Sequence, residues 1–457
     1  MTAPKTAAEL IQYIKDNDIP HVKVGAFDID GIFRGKYMAR DKFISALSGG
    51  FGFCNVVLGW DSNDQLYDEA AGISVAGWHN GYKDAEVRLL PETTRLIPYE
   101  NNQLLVLGEF AGEYEPVCPR GTLRKVLARA DAMGFDVSAA AEFEFFMFEE
   151  TPHSVREKNY KNLKSITPGF YGYSMLRAGV HADFYEELLG TCRTMDVELE
   201  GLHTETGPGV LEAAIRVSGA LEAADKAALF KTTTKILAQK RGWMATFMAK
   251  WSRDWPGQSG HLHMSLKDKT TGKSSFFDAD KPYKMSDTMR WFVGGQQALM
   301  PELLSMIACT VNSYTRLIPG FWAPTDATWG VENRTTALRV IPGSEKSQRV
   351  EYRIAAADIN PYIALAASIG SGLWGIENRI EPGDPLTGNA YEKKIPKNRA
   401  LPRTLMEAAT RLKASKPARE LFGSAFVDHY AGSREWEERE FRKAITDWEM
   451  ARYFEII

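Results

Sequence analysis

Two glutamates, two positions apart, lie in an aromatic segment near the end of the first third of the chain. The segment Ala140–Phe148 is rich in phenylalanine, which predicts a β-strand. Side chains alternate along a strand, so Glu142 and Glu144 lie on one face and Phe143 and Phe145 on the other. Two close carboxylates are costly unless a cation lies between them or one is protonated. The pair therefore predicts either a metal site or simply a solvent-exposed face of an edge strand.

The same spacing of two recurs in further strand-like segments later in the chain. Its polar members are His203 and Glu205, with Glu212 after a Gly-Pro-Gly turn; His261, His263 and Ser265; and Glu351 and Arg353. Carboxylates suit Mg²⁺ or Mn²⁺, and an imidazole favours Mn²⁺ without excluding Mg²⁺. A His-x-His pair alone is more often structural than a metal ligand. The joint occurrence of these residues predicts an oxygen-rich divalent-metal site.

Arginines crowd the same region, on both sides of Glu351. They are Arg316, Arg334, Arg339, Arg349 and Arg353. Guanidinium groups suit phosphate and carboxylate oxygens, although such arginines can also form ordinary surface ion pairs. Carboxylates, arginines and a histidine-rich strand together predict metal-assisted phosphoryl transfer. No Gly-x4-Gly-Lys-Ser/Thr motif is present, so a P-loop would not bind the nucleotide.

The elements that must position these residues indicate an α+β protein of two domains, as expected for 457 residues. The predicted domains are residues 1–110, small and rich in strands, and residues 111–457. Strands are predicted over 22–28, 33–37, 86–90, 103–107 and 142–148. Helices are predicted over 7–15, 122–133, 220–239, 286–306, 361–374 and 433–454, with 149–165 as loop.

Composition excludes several partners. The net charge is −4 without a long basic run, so neither nucleic acid nor an anionic membrane is expected to bind. The four cysteines are far apart and form no Cys-x-x-Cys motif, which is typical of reduced thiols in a cytoplasmic protein. The N-terminus lacks the apolar core of a signal peptide, and no window approaches the ~18 apolar residues that a membrane span needs.

In order and spacing, these motifs make the chain similar to bacterial-type glutamine synthetases over nearly its whole length. The matching stretches are Glu142-x-Glu144, the Glu205/Glu212 segment, Ser259–Ser265, Asn312–Gly320, Glu332–Arg339, Arg349–Arg353 and Asn360–Tyr362. The resemblance implies an N-terminal β-grasp domain and a C-terminal catalytic α/β domain. It also implies a homo-oligomeric double ring with active sites between subunits.

The resemblance further implies a role for each matching residue. Two Mg²⁺ (or Mn²⁺) ions would be held, one by Glu144, Glu205 and Glu212, the other by Glu142, His261 and Glu351. The residues contacting ATP would be His263, Ser265, Arg339 and Arg349; those contacting L-glutamate would be Arg316, Arg353 and Gly257. Arg334 would stabilise the transferring phosphoryl group. ATP would phosphorylate the γ-carboxylate of glutamate, and a nitrogen nucleophile would then attack the acyl phosphate.

The main departure from the family lies in the loop that follows Asn312–Gly320. True glutamine synthetases carry a glutamate there that helps to hold and deprotonate ammonium, and Trp322 takes that place here. Tryptophan cannot accept a proton, but it offers an apolar wall and a cation–π face to a substituted ammonium. Phe321 and Tyr171 are the further candidates for an amine pocket. The alternative is that Trp322 only packs the loop.

An alkylammonium, with a pKa of ~10, must lose a proton before attack, so a carboxylate is needed. Asp61 and Asp64 of the N-terminal domain are the candidate bases. We therefore predict a γ-glutamylamide synthetase that joins L-glutamate to a small, largely apolar primary amine. The alternatives are an authentic glutamine synthetase using ammonia and a ring without catalytic activity; the glutamate and histidine at every expected metal position disfavour the latter.

Overall fold

The N-terminal part of the chain forms a five-stranded mixed sheet. A computed structural model describes residues 4–457. The elements of this part are α1 (Ala7–Asp16), β1 (His21–Phe27), β2 (Phe33–Ala39), α2 (Arg40–Gly49), β3 (Phe51–Cys54), β4 (Asp84–Ile97) and β5 (Gln103–Phe110). The strand order is β2-β1-β5-β4-β3, with β1 antiparallel to β2 and parallel to β5. Apolar side chains of the strands and both helices form one core, which includes Leu10, Val24, Phe43 and Val106.

A nine-stranded sheet and its covering helices form the rest of the molecule. The first half contains α3 (Pro119–Ala132), β6 (Phe135–Phe148), α4 (Pro152–Glu157), α5 (Met175–Val180), α6 (Ala182–Thr194), β7 (Leu199–Thr204), β8 (Val210–Ile215), β9 (Ser218–Gly219), α7 (Ala220–Lys240) and β10 (Met244–Thr246). The second half contains β11 (Gly260–Asp268), α8 (Asp287–Leu303), α9 (Ser313–Arg316), β12 (Trp329–Val331), β13 (Leu338–Ile341), β14 (Arg349–Tyr352), α10 (Pro361–Glu377), α11 (Leu405–Ala414), α12 (Lys416–Phe422), α13 (Ser424–Phe441) and α14 (Asp447–Tyr453). No helix within the described residues combines the length and apolar character that crossing a bilayer requires.

The long strand β6 lies at the centre of this sheet. The order is β12-β13-β14-β11-β6-β8-β7, and β9 and β10 also pair with β6. On the inner face Phe143 and Phe145 are fully buried, and their rings lie 6.3 and 5.9 Å from that of Phe230 on α7. Burial of this aromatic face fixes the register of β6, because a slip of one residue would turn phenylalanines outward. Glu142 and Glu144 consequently face the opposite side, as the alternation predicts.

Most of the predicted elements are confirmed to within a few residues, but the C-terminal helix is not. The pattern predicted one helix over 433–454, and the chain instead forms α13 and α14, separated by residues 442–446. The first helix begins nine residues earlier because Phe426, Val427 and Tyr430 are buried in the core. A capping box of Thr446 and Glu449 starts the second.

The predicted loop over 149–165 is also wrong in part. It contains the short helix α4, which Thr151 begins by accepting a hydrogen bond from the backbone of Ser154. Residues 175–194, for which no element was predicted, form α5 and α6.

Polar contacts join the two sheets at the start of α10 and in α13. The side-chain amide of Asn360 donates to the carbonyls of Asp28 (3.0 Å) and Ile29 (3.2 Å) in the β1–β2 turn. Arg434 of α13, which is buried, forms an ion pair with Asp30 of the same turn. These bonds fix the N-terminal sheet against the larger one.

Candidate active site

An open cleft of about 560 Å³ lies over the polar face of the central strands. Strand register brings its side chains together, since residues directly opposite in a ladder have Cβ atoms about 5 Å apart. Three such pairs are Glu142 with His261, Glu144 with Glu212, and Glu351 with His263. All six predicted metal ligands line the cleft: Glu142, Glu144, Glu205, Glu212, His261 and Glu351.

Two groups of side chains within this cleft have the spacing of metal ligands. One is Glu142, His263 and Glu351, and the other is His203, Glu205 and Glu212; in each, the ligand atoms lie within 4.8 Å of one another. The resemblance implies His261 in place of His263 in the first group. In the second group it implies Glu144 in place of His203. His261 Nδ1 lies 3.4 Å from Glu142 and 3.5 Å from Glu351, between the same two carboxylates. Glu144 instead accepts a hydrogen bond of 2.6 Å from the backbone N–H of Ser259.

The first group combines ionised carboxylates with unsatisfied imidazoles. Burial alone would raise the pKa of Glu351, but His261, Arg353 and His263 together lower it to about 2. Burial would likewise raise the pKa of Glu142, yet the neighbouring His261 and His263 side chains hold it well below its usual value. Nε2 of both histidines is buried without a partner in the described part of the chain. Imidazole nitrogens without hydrogen-bond partners beside two carboxylates fit a divalent cation.

The second group carries more negative charge than its own residues neutralise. Burial and the charges of Glu142 and Glu144 raise the pKa of Glu212 to about 8, against the hydrogen bond from His203. Burial would lower the pKa of His203, but Glu212, 3.3 Å away, and the Thr204 carbonyl raise it to about 9. The group therefore retains protons at neutral pH unless a cation replaces them. Mg²⁺ or Mn²⁺ fits this donor set.

His203 and Tyr173 are cleft residues that the predicted roles did not include. The His203 ring stacks on Tyr173 with centroids 4.3 Å apart. The spacing of His203 from Glu205 indicated a shared face, but no matching motif gave it a role. For Tyr173 the signal was its place in the aromatic run Phe170-Tyr171-Gly172-Tyr173, from which the predicted amine pocket takes only Tyr171.

A smaller cavity of about 320 Å³ adjoins the cleft and shares Glu142, His263 and Arg349 with it. Ser265 and Lys346 also line this cavity. Three of the residues predicted to contact ATP therefore line the same cavity: His263, Ser265 and Arg349. Arg349 Nε lies 3.4 Å from His263 Nδ1. Arg339 lies in the main cleft and donates to Glu351 at 3.1 Å. Two connected cavities of this size can hold a nucleotide beside a smaller substrate.

The residues predicted to bind L-glutamate lie partly in the cleft wall and partly in the layer behind it. Gly257 and Arg353 line the cleft, whereas Arg316 is 2% exposed and donates to the Ile354 carbonyl (3.0 Å) and Ser259 Oγ (2.8 Å). A Cβ at Gly257 would lie 2.5 Å from Arg316 Cγ, so glycine is required for this close approach. Arg316 therefore supports the cleft wall in this structure and does not face the cleft.

Arg334 is the predicted phosphoryl-stabilising residue, and it lines the cleft with its side chain exposed. It forms no ion pair within residues 4–457, in contrast with Arg339, which pairs with Glu332 and Glu351. A free guanidinium beside candidate metal-ligating side chains can contact an anionic substrate without first losing a partner.

Two of the three aromatic residues predicted for the amine pocket line the cleft. Trp322 and Phe321 do so from the loop 320–324, where Trp322 is 59% exposed and has a left-handed φ of 60°. Tyr171 does not line the cleft and instead lies beneath Arg177, whose guanidinium is 4.8 Å from its ring. Tyr173, two residues further on, takes the position in the cleft wall.

Neither predicted base lines the cleft of the same subunit. Asp61 is buried, accepts hydrogen bonds from the backbone of Asn63 and Gln65, and also accepts one from Trp436 Nε1 (2.9 Å). Asp64 forms an ion pair of 2.7 Å with Arg34. A catalytic role for either aspartate stays a prediction and would require a neighbouring subunit to supply it.

The nine-stranded sheet, antiparallel except between β12 and β13, carries carboxylates, imidazoles and arginines over one face and so defines a site for divalent cations and anionic oxygens. Comparison with known proteins identifies the class: the family model described as glutamine synthetase, catalytic domain, matches residues 116–453. The chain belongs to the glutamine synthetase family, and its second sheet with the covering helices has the mixed α/β catalytic fold of that family.

Relatives with several different names match nearly the whole chain. Type-1 glutamine synthetase 2 of Dictyostelium discoideum is 46% identical over 98% of this chain and 86% of its own length. A glutamate–isopropylamine ligase of Pseudomonas sp. is 36% identical over 99% of both chains. The gamma-glutamylethanolamide synthetase GlnA4 of Streptomyces coelicolor is 34% identical over 99% of this chain and 96% of its own length.

Solved structures share the fold. One described as apo GmaS without ligand superposes with a TM-score of 0.83, covering 98% of this chain and 99% of the other at 24% identity.

Proposed function

We propose that this protein is an ATP-dependent ligase that joins the γ-carboxylate of L-glutamate to a small primary amine. The product is an N-substituted γ-glutamylamide, formed through γ-glutamyl phosphate, with ADP and phosphate released. The observation that carries the choice of amine is Trp322, which stands where true glutamine synthetases have the ammonium-binding glutamate and which lines the cleft. The glutamate–isopropylamine ligase and the gamma-glutamylethanolamide synthetase among the relatives support it.

In this proposal the two groups of ligands would bind two Mg²⁺ (or Mn²⁺) ions per active site. One ion would be held by Glu205 and Glu212 with His203 or Glu144. The other would be held by Glu142 and Glu351 with His261 or His263. Bound there, the ions would neutralise charge on the phosphate oxygens of ATP. Ser265 and Arg349 of the adjoining cavity would contact the nucleotide, together with Arg339 and His263.

The chain's own residues account for the two steps. Arg353 and the backbone at Gly257 would orient glutamate so that a γ-carboxylate oxygen attacks the γ-phosphorus and ADP leaves. Arg334 would stabilise the negative charge on the transferring group. The amine nitrogen then attacks the acyl carbon, phosphate leaves with the bonding pair, and the amine proton passes to a carboxylate. Trp322 would shield the intermediate from water and contact the alkyl group.

The remaining parts of the proposal concern organisation. Residues 1–110 would form a β-grasp domain, which the strand order β2-β1-β5-β4-β3 with parallel β1 and β5 supports. Residues 111–457 would form the catalytic domain. The proton acceptor, Asp61 or Asp64, would reach the cleft from a neighbouring subunit of a double ring. The protein would act in the cytoplasm.

The test is an amine panel. Phosphate release would be followed with L-glutamate, Mg-ATP and either ammonium, methylamine, isopropylamine, aniline or putrescine. We expect an alkylamine to give the highest kcat/KM. Ammonium exceeding every amine would overturn the proposal.

A second candidate is an authentic glutamine synthetase that uses ammonia. The relative from Dictyostelium discoideum, at 46% identity, favours it. The same panel separates the two, because the protein would then show its highest kcat/KM with ammonium.

A further inference from the structure

Lys250 lies behind the loop that carries Trp322, with its charge held against that loop. The residue is 6% exposed, and its ammonium lies 5.0 Å from the centroid of the Phe321 ring, a cation–π distance. It forms no ion pair in the part of the chain that the structure describes. Asp254 is the carboxylate whose charge acts on it, and that carboxylate lies 3.5 Å from Arg253. Lys250 is thus a largely buried cation without a neutralising partner.

The backbone fixes Lys250 at the amine end of the cleft. Its N–H donates to Asn312 Oδ1 (2.9 Å), and its carbonyl accepts from Asn312 Nδ2 (2.7 Å). The preceding Ala249 carbonyl accepts a hydrogen bond of 2.7 Å from Gln258, next to Gly257 in the cleft wall. The Phe321 ring therefore lies between the Lys250 ammonium and the cleft. Because this ring already binds a cation, Trp322 is left as the aromatic face of the loop that an incoming ammonium can use.

The positive charge of Lys250 would discriminate between amines by the charge at the end remote from the attacking nitrogen. The attacking nitrogen loses its extra proton before reaction, so its positive charge is transient. The distal ammonium of a diamine keeps its charge, and in an amine pocket formed by Phe321 and Trp322 it would lie on the cleft side of the ring that Lys250 contacts. Two like unit charges about 7 Å apart, at an effective dielectric constant between about 20 and 40, reduce binding by a factor of about 5 to 50. The carboxylates of the cleft are the candidate metal ligands, so they leave the distal ammonium without a partner.

We propose that Lys250 is a specificity-determining residue that excludes amines carrying a second positive charge, and that the substrates are monoamines with uncharged tails. This inference rests on the proposed glutamate–amine ligase activity and narrows its substrate class.

The test compares butylamine, 4-amino-1-butanol and putrescine, which have the same four-carbon chain, by phosphate release with L-glutamate and Mg-ATP. In the unmodified protein we expect kcat/KM for both monoamines to exceed that for putrescine by at least about tenfold, mainly through KM. Lys250→Met, which keeps the stem and removes the charge, should reduce the butylamine-to-putrescine ratio about 5- to 50-fold. Lys250→Arg, the matched control, keeps the charge and should keep the ratio.

Different outcomes overturn the inference and the proposed function. An unchanged ratio in Lys250→Met, or putrescine matching butylamine in the unmodified protein, would overturn the role of Lys250. The same holds if 4-amino-1-butanol is rejected as strongly as putrescine, since polarity and not charge would then decide. That comparison needs no variant and stands even if Lys250→Met fails to fold. Ammonium exceeding all three amines would overturn the ligase proposal itself.

Discussion

Glu351 is the buried carboxylate on which three cationic or imidazole groups converge, so neutralising it should destabilise the protein strongly. Its side chain is 2% exposed and contacts Arg339 (3.1 Å), Arg353 and His261 (3.5 Å). In Glu351→Gln the shape is retained, but an amide N–H₂ must face a guanidinium and the arginines lose their charge partner. Removing one partner of a buried pair costs about 3–5 kcal/mol.

Glu332→Gln is the matched control, because Glu332 pairs with the same Arg339 and its side chain is 48% exposed. An exposed pair contributes at most about 1 kcal/mol. For 457 residues, an unfolding entropy of about 2.1 cal/mol/K per residue makes 1 kcal/mol equivalent to about 1 °C in Tm. We expect Glu351→Gln to lower Tm by about 3–5 °C and Glu332→Gln by no more than about 1 °C. The assay is scanning calorimetry of the metal-free protein at one fixed concentration. Equal shifts in the two variants would refute the reasoning.

Three further predictions concern the cleft. Glu142→Gln or Glu144→Gln should abolish turnover and leave the secondary structure and assembly intact, as circular dichroism and size-exclusion chromatography would check; near-normal turnover would contradict metal binding by that residue. Trp322→Glu should raise kcat/KM for ammonium relative to isopropylamine by about tenfold or more, because a carboxylate replaces an apolar wall; an unchanged ratio would mean that the tryptophan only packs the loop. Glu212 and His203, with pKa values raised to about 8 and 9, hold protons that the unfolded chain releases near pH 4.5 and 6.5, so the metal-free protein should lose stability as the pH rises from about 4.5 to 9. Saturating Mg²⁺ should flatten this dependence of Tm on pH, and equal slopes with and without Mg²⁺ would contradict it.

The alternation of side chains along β6 and β11 could be predicted from the sequence because it is a local property of extended backbone. Burying Phe143 and Phe145 in the main core places Glu142 and Glu144 together on the opposite face of the strand. The order and spacing of the polar motifs were likewise sufficient to indicate the family. The departure at Trp322 is visible in the residues alone.

The partners of those side chains were decided by the tertiary structure. Glu142 meets His261, and Glu351 meets His263, because β6, β11 and β14 are neighbours in the sheet, and pairing between distant segments depends on burial across the whole chain. The same packing sets Arg316 behind Gly257.

The resemblance to the family predicted roles for single residues, but packing decided which of them reach the cleft. Asp61 is buried against α13, where Trp436 donates a hydrogen bond to it, and Tyr173 occupies the cleft wall in place of Tyr171. Lys250 shows the same division, since nothing in its local sequence indicates that its charge lies beneath the loop of Trp322. The sequence determined which chemical groups this protein has, because residue type and alternation are local. Only the fold decided which of them act together, because contact between distant residues is a property of the packed core.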